Sequence, residues 1–476
     1  MSNHSNHPQN LLEGFTIRGL WYPSDKYDLR CNGTLEFAPR YGARLVLESR
    51  TDDLHESYIS HKPFWGISED RQRITLSDFP TRYHSLFDAS ENQPRKDANV
   101  RFGEATNLYT YHFRQVFLGQ HFGRPADQQL RTIQIEFSHL NEWIHGIRNE
   151  PLASIMDLEG SRPMLSLPKV IEGVKSFTLE GNNSILINAE SQGISLEEYY
   201  DVIYYVQNFL RLLILDPIFP SRVSATTLRS NCPVEIYFPQ LGSRDPQYGA
   251  ILPDYSLFTY DEVRNRFEKL LMNFLHLDKL ISDLFFGYLY SPLTFIETRF
   301  LSLTQAIEAF HRKTRGGEYV TRQWYDENLY GYFANMINEA PKIENNTGFK
   351  ASLLARMRFG YEYALRKRLE QLLDEFGGKF LDIFVYREQD NTQKQKKARR
   401  DNFIKDIKDT RNFYIHFDED PEAHVLKGSE LRQVSEKLEI FFSIVLLNEL
   451  GIQSNIIDQS IENQSEKGIF SHLKAK

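Results

Sequence analysis

Cysteine is almost absent from the chain, since only Cys31 and Cys232 occur among its 476 residues. Two cysteines this far apart provide neither the framework of a disulfide-rich secreted domain nor the close spacing of a zinc site. The longest apolar runs, at 209–219 and 441–450, are shorter than a bilayer span. The opening MSNHSNHPQN has no apolar core of the kind found in signal peptides. These absences argue against secretion and against a membrane partner, and we expect a cytoplasmic protein.

Motifs for nucleotide cofactors and for metal ions are also lacking. The chain contains no G-x-x-x-x-G-K-[ST] phosphate-binding loop, no G-x-G-x-x-G and no G-x-S-x-G nucleophile elbow. The histidines of MSNHSNH lie in a polar segment typical of a flexible terminus and do not form a close His/Cys cluster. The sequence therefore predicts a protein that uses no cofactor and no metal ion.

The formal net charge of −8 speaks against a general nucleic-acid coat protein. The charge is unevenly distributed, because residues 356–412 contain 15 Lys and Arg against 10 Asp and Glu, a local balance of +5. Part of this excess is a run of cations without an intervening acid: Lys394, Lys396, Lys397, Arg399 and Arg400. We expect the run to contact a phosphate backbone, and a plain solvated segment is the alternative interpretation.

The pattern of apolar residues changes period halfway along the chain. The first half has short β-type segments at 14–23, 33–39, 43–49, 131–137 and 177–190, and one helix that Ser195 caps with Glu198 in capping-box position. From residue 256 the period is helical, with helices near 263–277, 294–313, 350–376, 398–417 and 429–451. We therefore expect an α+β chain of two domains, a β-rich sandwich- or barrel-like domain followed by an all-α helical bundle.

Domain boundaries follow from the same patterns. We expect a disordered terminus at 1–10, the β-rich domain at 11–255, the helical domain at 256–455 and a tail at 456–476. The segment 387–402 has Ala398 as its only aliphatic residue. Such a composition is typical of a mobile loop, here one that leads into the helix at 398–417.

That helix carries Arg411, Asn412 and His416. Arg followed by His five residues later is weak by itself, since Arg50 and His55 repeat the spacing without an assigned function, but Asn after Arg makes the pattern rarer. RNA brings its own nucleophile, the 2′-hydroxyl, so a protein need only transfer protons and stabilise charge at the phosphate. Histidine transfers protons near neutral pH, and arginine binds phosphoryl oxygens. A structural ion pair of Arg411 and a structural His416 are the alternatives.

R-N-x-x-x-H on a helix near the end of an all-α domain resembles the signature of the HEPN superfamily of ribonucleases. The chain also resembles the ApeA-type phage-defence proteins, through FLSLTQAIEAFHR (300–312), VFLGQHF (116–122) and LNEW (140–143). The resemblance implies a metal-independent endoribonuclease that leaves a 2′,3′-cyclic phosphate and arrests growth on infection. It also implies a homodimer with paired sites at a helix interface. Glu308 stands where the superfamily often has a polar residue, and a salt-bridging or solvated glutamate is the alternative.

These observations predict an RNase effector that cleaves RNA, tRNA among the candidates. Arg411 continues the apolar stripe of Phe403 and Ile407, which favours dimerisation through the C-terminal helices. The β-rich half is expected to sense a phage-derived trigger or to restrain the active site. Two alternatives remain: a catalytically inactive HEPN module that binds RNA or protein, and a ligand-binding β-domain with a helical dimerisation domain.

Overall fold

The computed structural model divides into two compact units, one formed by 1–276 with 289–292, the other by 277–288 with 293–476. Its description covers residues 10–49, 63–77, 95–101, 104–123, 129–145, 164–165, 174–180, 184–189, 193–229, 232–240, 256–287, 290, 295–341, 348–416 and 424–474. The predicted disordered terminus, apart from residue 10, and the Arg50–His55 pair lie outside the described residues.

Within the described residues of the first unit, fourteen strands form one antiparallel sheet. In chain order they are β1 (Phe15–Pro23), β2 (Cys31–Ala38), β3 (Gly42–Ser49), β4 (Phe64–Ser68), β5 (Arg73–Ser77), β6 (Arg95–Arg101), β7 (Glu104–Phe113), β8 (Gln115–Leu118), β9 (Leu130–Phe137), β10 (Met164–Leu165), β11 (Val174–Glu180), β12 (Ser184–Ala189), β13 (Pro220–Thr227) and β14 (Pro233–Tyr237). Their spatial order is β10-β11-β12-β9-β13-β14-β8-β5-β4-β1-β2-β3-β7-β6. The predicted β-rich first half is confirmed.

Strand sequences explain the faces of this sheet. In β9 the alternation predicted from the sequence holds, because Ile133 and Ile135 are fully buried while the polar residues between them are half-buried. Trp21 of β1 is also fully buried, and its indole N–H donates to the Gly33 carbonyl at 3.1 Å. A Cβ at Gly66 would lie 2.3 Å from the Trp21 ring, so this ring requires glycine on the neighbouring strand β4.

Four α-helices accompany the sheet in the described part of the first unit: α1 (Leu140–His145), α2 (Leu196–Ile214), α3 (Tyr260–Val263) and α4 (Phe267–Leu275). The predicted capping box is present, since Ser195 accepts from the Glu198 amide and the Glu198 carboxylate accepts from the Ser195 amide. Phe209 of α2 packs against α4, with its ring centroid 5.2 Å from that of Phe267 and 5.7 Å from that of Phe274. Because of this packing, α4 belongs with the sheet, although it lies beyond the expected boundary at residue 255.

The second unit is helical, as predicted. Its helices are α5 (Lys279–Phe286), α6 (Ile296–Arg315), α7 (Arg322–Tyr325), α8 (Gly331–Glu339), α9 (Phe349–Met357), α10 (Leu365–Phe376), α11 (Gly378–Phe380), α12 (Gln393–His416), α13 (Gly428–Glu449) and α14 (Ser454–Glu466). Residues 326–330 and 381–385 form π-helical turns. Aromatic rings join these helices: the Phe442 centroid of α13 lies 5.6 Å from that of Phe310 on α6 and 5.1 Å from that of Phe285 on α5.

Two expectations for the helical half are wrong in detail. The helix expected at 350–376 is divided into α9 and α10 by the turn at 358–364, where Tyr363 donates to the Gly317 carbonyl at 2.8 Å. The loop expected at 387–402 is helical from Gln393, because Thr392 caps α12. The Thr392 hydroxyl accepts from the Gln395 amide at 3.2 Å, and the Gln395 side chain accepts from the Thr392 amide at 3.0 Å.

Candidate active site

Helix α12 presents an apolar face to the core and holds the candidate residues in its last two turns. Ile404 and Ile407 on this face are fully buried. Arg411 follows one turn after Ile407 and is about one-quarter exposed. The cation therefore lies at the edge of the buried face, where a charge needs a partner or a function.

Arg411 has that partner on α6. Its Nη2 donates to Glu308 Oε2 at 3.0 Å, and Glu308 is about one-fifth exposed. The Nη1 atom donates to the Asn412 side-chain oxygen at 3.3 Å. The Nε atom of Arg411 is buried and has no acceptor among the described residues. The structure thus brings together three of the four residues expected at the site, and Glu308 orients the guanidinium group from the facing helix.

His416 occupies the last turn of α12 and is exposed. On an ideal helix it points about 140° away from Arg411. The side-chain oxygen of Asn412, one turn before His416, accepts from Arg411 and not from the imidazole ring. Within the described part of the chain the His416 ring has no hydrogen-bond partner.

The end of α12 is fastened to the chain that follows. The Thr410 hydroxyl accepts from the Leu426 amide at 3.0 Å, and the Tyr414 hydroxyl donates to the Leu426 carbonyl at 3.3 Å. Asp406 pairs with His424 at 3.2 Å, and burial raises the pKa of the Asp406 carboxyl. These contacts fix the turns that carry Arg411 and limit how far the guanidinium group can be displaced.

A buried polar pair lies beside Glu308, and no expectation from the sequence included it. His311, one turn after Glu308 on α6, and Arg368 on α10 are both fully buried. Arg368 Nη1 lies 3.1 Å from His311 Nδ1, and His311 Nε2 lies 2.7 Å from the Gln371 side-chain oxygen. Because arginine only donates, Nδ1 accepts and the ring proton is on Nε2.

The charges of this pair are controlled by burial and by Glu308. Burial lowers the pKa of His311, and the Arg368 charge lowers it further, so the ring is neutral. Burial also lowers the pKa of Arg368, while the Glu308 carboxylate opposes that change. The carboxylate therefore interacts with two guanidinium groups, Arg411 and Arg368. A signal was available in the sequence, since Arg368 interrupts the apolar stripe of Leu365, Leu369 and Leu372.

The cations expected to bind a phosphate backbone lie in the first turns of α12. Three of them have acidic partners: Lys396 with Asp382 at 3.3 Å, Arg399 with Asp390 at 3.4 Å, and Arg400 with Asp374. Lys394 and Lys397 are exposed, and the described residues include no acidic partner for either. These two cations are therefore better placed than the other three to meet phosphates.

A cavity of about 470 Å³ opens at this end of α12, with Asp382, Tyr386, Asp390, Lys396 and Lys474 in its wall. The helix from Gln393 to His416 has 24 residues, so at ~1.5 Å per residue the cavity lies roughly 35 Å from the last turn. The cavity is thus remote from Arg411 and His416, and its wall carries charges of both signs.

The described residues contain no group of three or more His, Cys, Asp or Glu side chains placed to hold a metal ion. No helix within the described segments is long and apolar enough to cross a membrane.

Comparisons with known protein families matched both halves of the chain. Residues 16–274 match the model of ApeA N-terminal domain 1, and residues 301–456 match the model of the Apea-like HEPN domain. No curated protein and no solved structure matched. The second match begins within α6 and includes α12, and with them Glu308, Arg411 and His416.

Proposed function

Because the chain belongs to the ApeA-like HEPN family, a defence-associated family of nucleases, we propose that it is a metal-independent endoribonuclease that acts against phage infection. The observation that carries the proposal is the Glu308–Arg411 ion pair, which holds a guanidinium group on the same helix as an exposed histidine five residues later. That combination supplies what RNA transesterification needs, a fixed cation and a group that transfers protons.

In the proposed reaction, His416 takes the proton of the 2′-hydroxyl as its oxygen attacks the adjacent phosphorus. The bond from phosphorus to the 5′-oxygen breaks, and protonated His416 returns the proton, directly or through water, to that leaving oxygen. The products are a 2′,3′-cyclic phosphate and a 5′-hydroxyl. Arg411 stabilises the charge that develops on the phosphoryl oxygens, and Glu308 and Asn412 keep its guanidinium group in position.

The angle of about 140° between Arg411 and His416 supports a homodimer through the C-terminal helices. Two copies of α12 at one interface would place His416 of one chain beside Arg411 of the other. In this arrangement Lys394 and Lys397, the two basic-run residues without an acidic partner, contact the phosphate backbone of the RNA. The β-sheet half senses a phage-derived trigger or restrains the nuclease, as its separate compact unit supports.

The mechanism predicts that the nucleophile must come from the substrate. A short RNA with a single 2′-deoxy nucleotide at the mapped cleavage position should not be cut, whereas the all-ribose strand should be cut with a 2′,3′-cyclic end. Denaturing electrophoresis and mass spectrometry of the products measure both outcomes. A deoxy substitution one nucleotide away is the matched control and should be cleaved. Cleavage at the deoxy position would contradict transesterification.

Metal independence is a separate prediction. Since Arg411 and His416 supply charge and proton transfer, excess EDTA should leave the initial cleavage rate unchanged within twofold. The assay compares EDTA with a magnesium–EDTA mixture at the same ionic strength, because phosphate contacts weaken with salt. A rate that falls tenfold with EDTA and returns with Mg²⁺ would contradict this part of the proposal. If the purified chain binds RNA without cutting it under any of these conditions, the inactive-module alternative replaces the enzyme.

A further inference from the structure

Residues 319–341 leave the helical unit as an arm, and residues 348–361 return to it. The arm begins just after α6 and contains α7, the π-helical turn, α8 and α9. Its two ends are joined at the base, where the Tyr319 amide donates to the Tyr361 carbonyl at 2.8 Å. Because α6 also carries Glu308, the base of the arm lies about 10–15 Å from the candidate site at ~1.5 Å per helical residue.

Polar contacts hold the outgoing and returning segments together. The Tyr325 hydroxyl donates to the Met357 carbonyl at 2.6 Å. Farther out, Lys350 Nζ donates to the carbonyls of Asn338, at 2.7 Å, and Ala340 at the end of α8. The arm is therefore an ordered hairpin of helices along its described length. Neither α8 nor α9 has a single buried residue, so the arm has little core of its own.

Large aromatic rings occupy the surface of this hairpin. The most exposed are Tyr319 (59%), Trp324 (46%), Tyr332 (63%), Phe349 (44%) and Phe359 (56%). A cluster of apolar rings exposed to water is unfavourable in free energy, and such clusters mark surfaces that bind a ligand or a macromolecular partner. In the rest of the helical unit Phe295 is the only described aromatic residue with comparable exposure.

The returning segment adds positive charge to these rings. Residues 348–361 contain Lys350, Arg356 and Arg358 and no acidic residue. Arg356 and Arg358 are exposed, and no described carboxylate lies within ion-pair distance of either. This contrasts with the basic run of α12, in which three of five cations are already paired. The two arginines are thus available for phosphate groups.

We propose that the arm binds single-stranded RNA: its exposed rings stack on unpaired bases, and Arg356 and Arg358 contact the phosphates between them. Aromatic side chains accept any base, and stacking requires bases that are not already paired within a duplex. The inference rests on the proposed function and names its substrate, an unpaired RNA segment delivered to Arg411 by the arm. A second copy of the chain is the competing occupant of this surface, and RNA is favoured over it because Lys350, Arg356 and Arg358 match the negative charge of phosphate groups.

Binding is measured with the full-length His416→Ala chain, so that cleavage does not consume the probe. The probe is a fluorescent single-stranded RNA, compared with a blunt RNA duplex of the same length. Arg356→Gln with Arg358→Gln should weaken single-strand binding at least tenfold and reduce the salt slope by about 1.4, or 0.7 per phosphate contact. Trp324→Ala and Phe359→Ala should each weaken it about 5- to 100-fold, with no change in the salt slope.

Matched controls come from the same helical unit. Arg432→Gln removes an exposed cation of α13, and Phe295→Ala removes an exposed ring outside the arm. Both should bind the single strand as the parent does. Unchanged affinity and salt slope in all arm variants would overturn the proposal, as would an equal loss for the duplex. A lower molar mass of the arm variants in light scattering, with RNA affinity retained, would overturn it in favour of self-association.

The proposal for the arm and the proposed nuclease function can be refuted independently of each other. If the wild-type chain binds single-stranded RNA through the arm but never cleaves it, the nuclease function is refuted and the RNA-binding role of the arm is supported. If the wild-type chain cleaves RNA and the arm variants cleave it with unchanged KM, the RNA-binding role of the arm is refuted and the nuclease function is supported.

Discussion

Replacing Arg411 or His416 with alanine is expected to reduce RNA cleavage by about 10²–10⁴-fold at saturating substrate. For His416 the reason is the loss of general acid–base catalysis, and for Arg411 the loss of charge stabilisation at the phosphate. Arg411→Lys should restore only part of the rate, because an ammonium group lacks the fork that donates to Glu308 and Asn412 together. Single-turnover cleavage of an end-labelled RNA measures the rate, and circular dichroism reports the fold.

The controls separate chemistry from folding. His472, an exposed histidine of the same unit, pairs with Glu436 at 3.3 Å, and His472→Ala should cleave at nearly the wild-type rate. Arg432→Ala serves the same purpose for arginine. Loss of one partly exposed ion pair in Arg411→Ala is worth about 1 kcal/mol, a decrease in Tm of roughly 2–4 °C for a domain of this size. Cleavage by His416→Ala at the wild-type rate would remove His416 from the mechanism.

Glu308→Ala is expected to slow cleavage by about 10²-fold, although the carboxylate need not touch the substrate. Without it the guanidinium group of Arg411 loses its 3.0 Å contact and samples other rotamers, and misplacement by about 1 Å has an effect of this size. Glu308→Gln keeps an acceptor for Arg411 and should recover much of the rate. The same single-turnover assay measures both variants.

A double-mutant cycle distinguishes positioning from direct catalysis. If Glu308 acts through Arg411, the double variant Glu308→Ala/Arg411→Ala should be no slower than Arg411→Ala alone. Glu436→Ala is the matched control, since Glu436 on α13 pairs with His472 at 3.3 Å and not with Arg411. Multiplicative losses in the double variant would mean that Glu308 contributes independently of the arginine, as a catalytic residue in its own right.

The sequence predicted the two-domain α+β organisation and the helix that carries Arg411, because both depend on local patterns. It could not predict from spacing that Glu308 meets Arg411, since 103 residues separate them and only the packing of α6 on α12 joins them. Glu308 was named through a family resemblance. Glu308 forms a salt bridge, and the partner in that salt bridge is the proposed catalytic Arg411. The salt-bridging and the functional interpretations of Glu308 are therefore compatible.

Other errors have identifiable physical causes. The polar composition of 387–402 indicated a loop, but Thr392 and Gln395 form a capping box, and helices tolerate Lys, Gln and Arg well. The rings of the arm were not singled out because exposed and buried aromatics look alike in a sequence. Only the tertiary structure shows that Tyr332 and Phe359 are more than half exposed.

The order of the strands has a consequence for the timing of synthesis. Strand β14 lies between β13 and β8, so the two parts of the sheet cannot be joined until residue 237 has left the ribosome. The main segment of that unit ends at His276, and Arg411 follows 135 residues later (411 − 276). At roughly 5–20 residues per second this gives the sheet a lead of about 7–27 s, whereas β-rich domains usually fold within milliseconds to seconds. On every nascent chain, the main segment of the β-sheet half is therefore synthesised several seconds before the first cation of the R-N-x-x-x-H motif is translated.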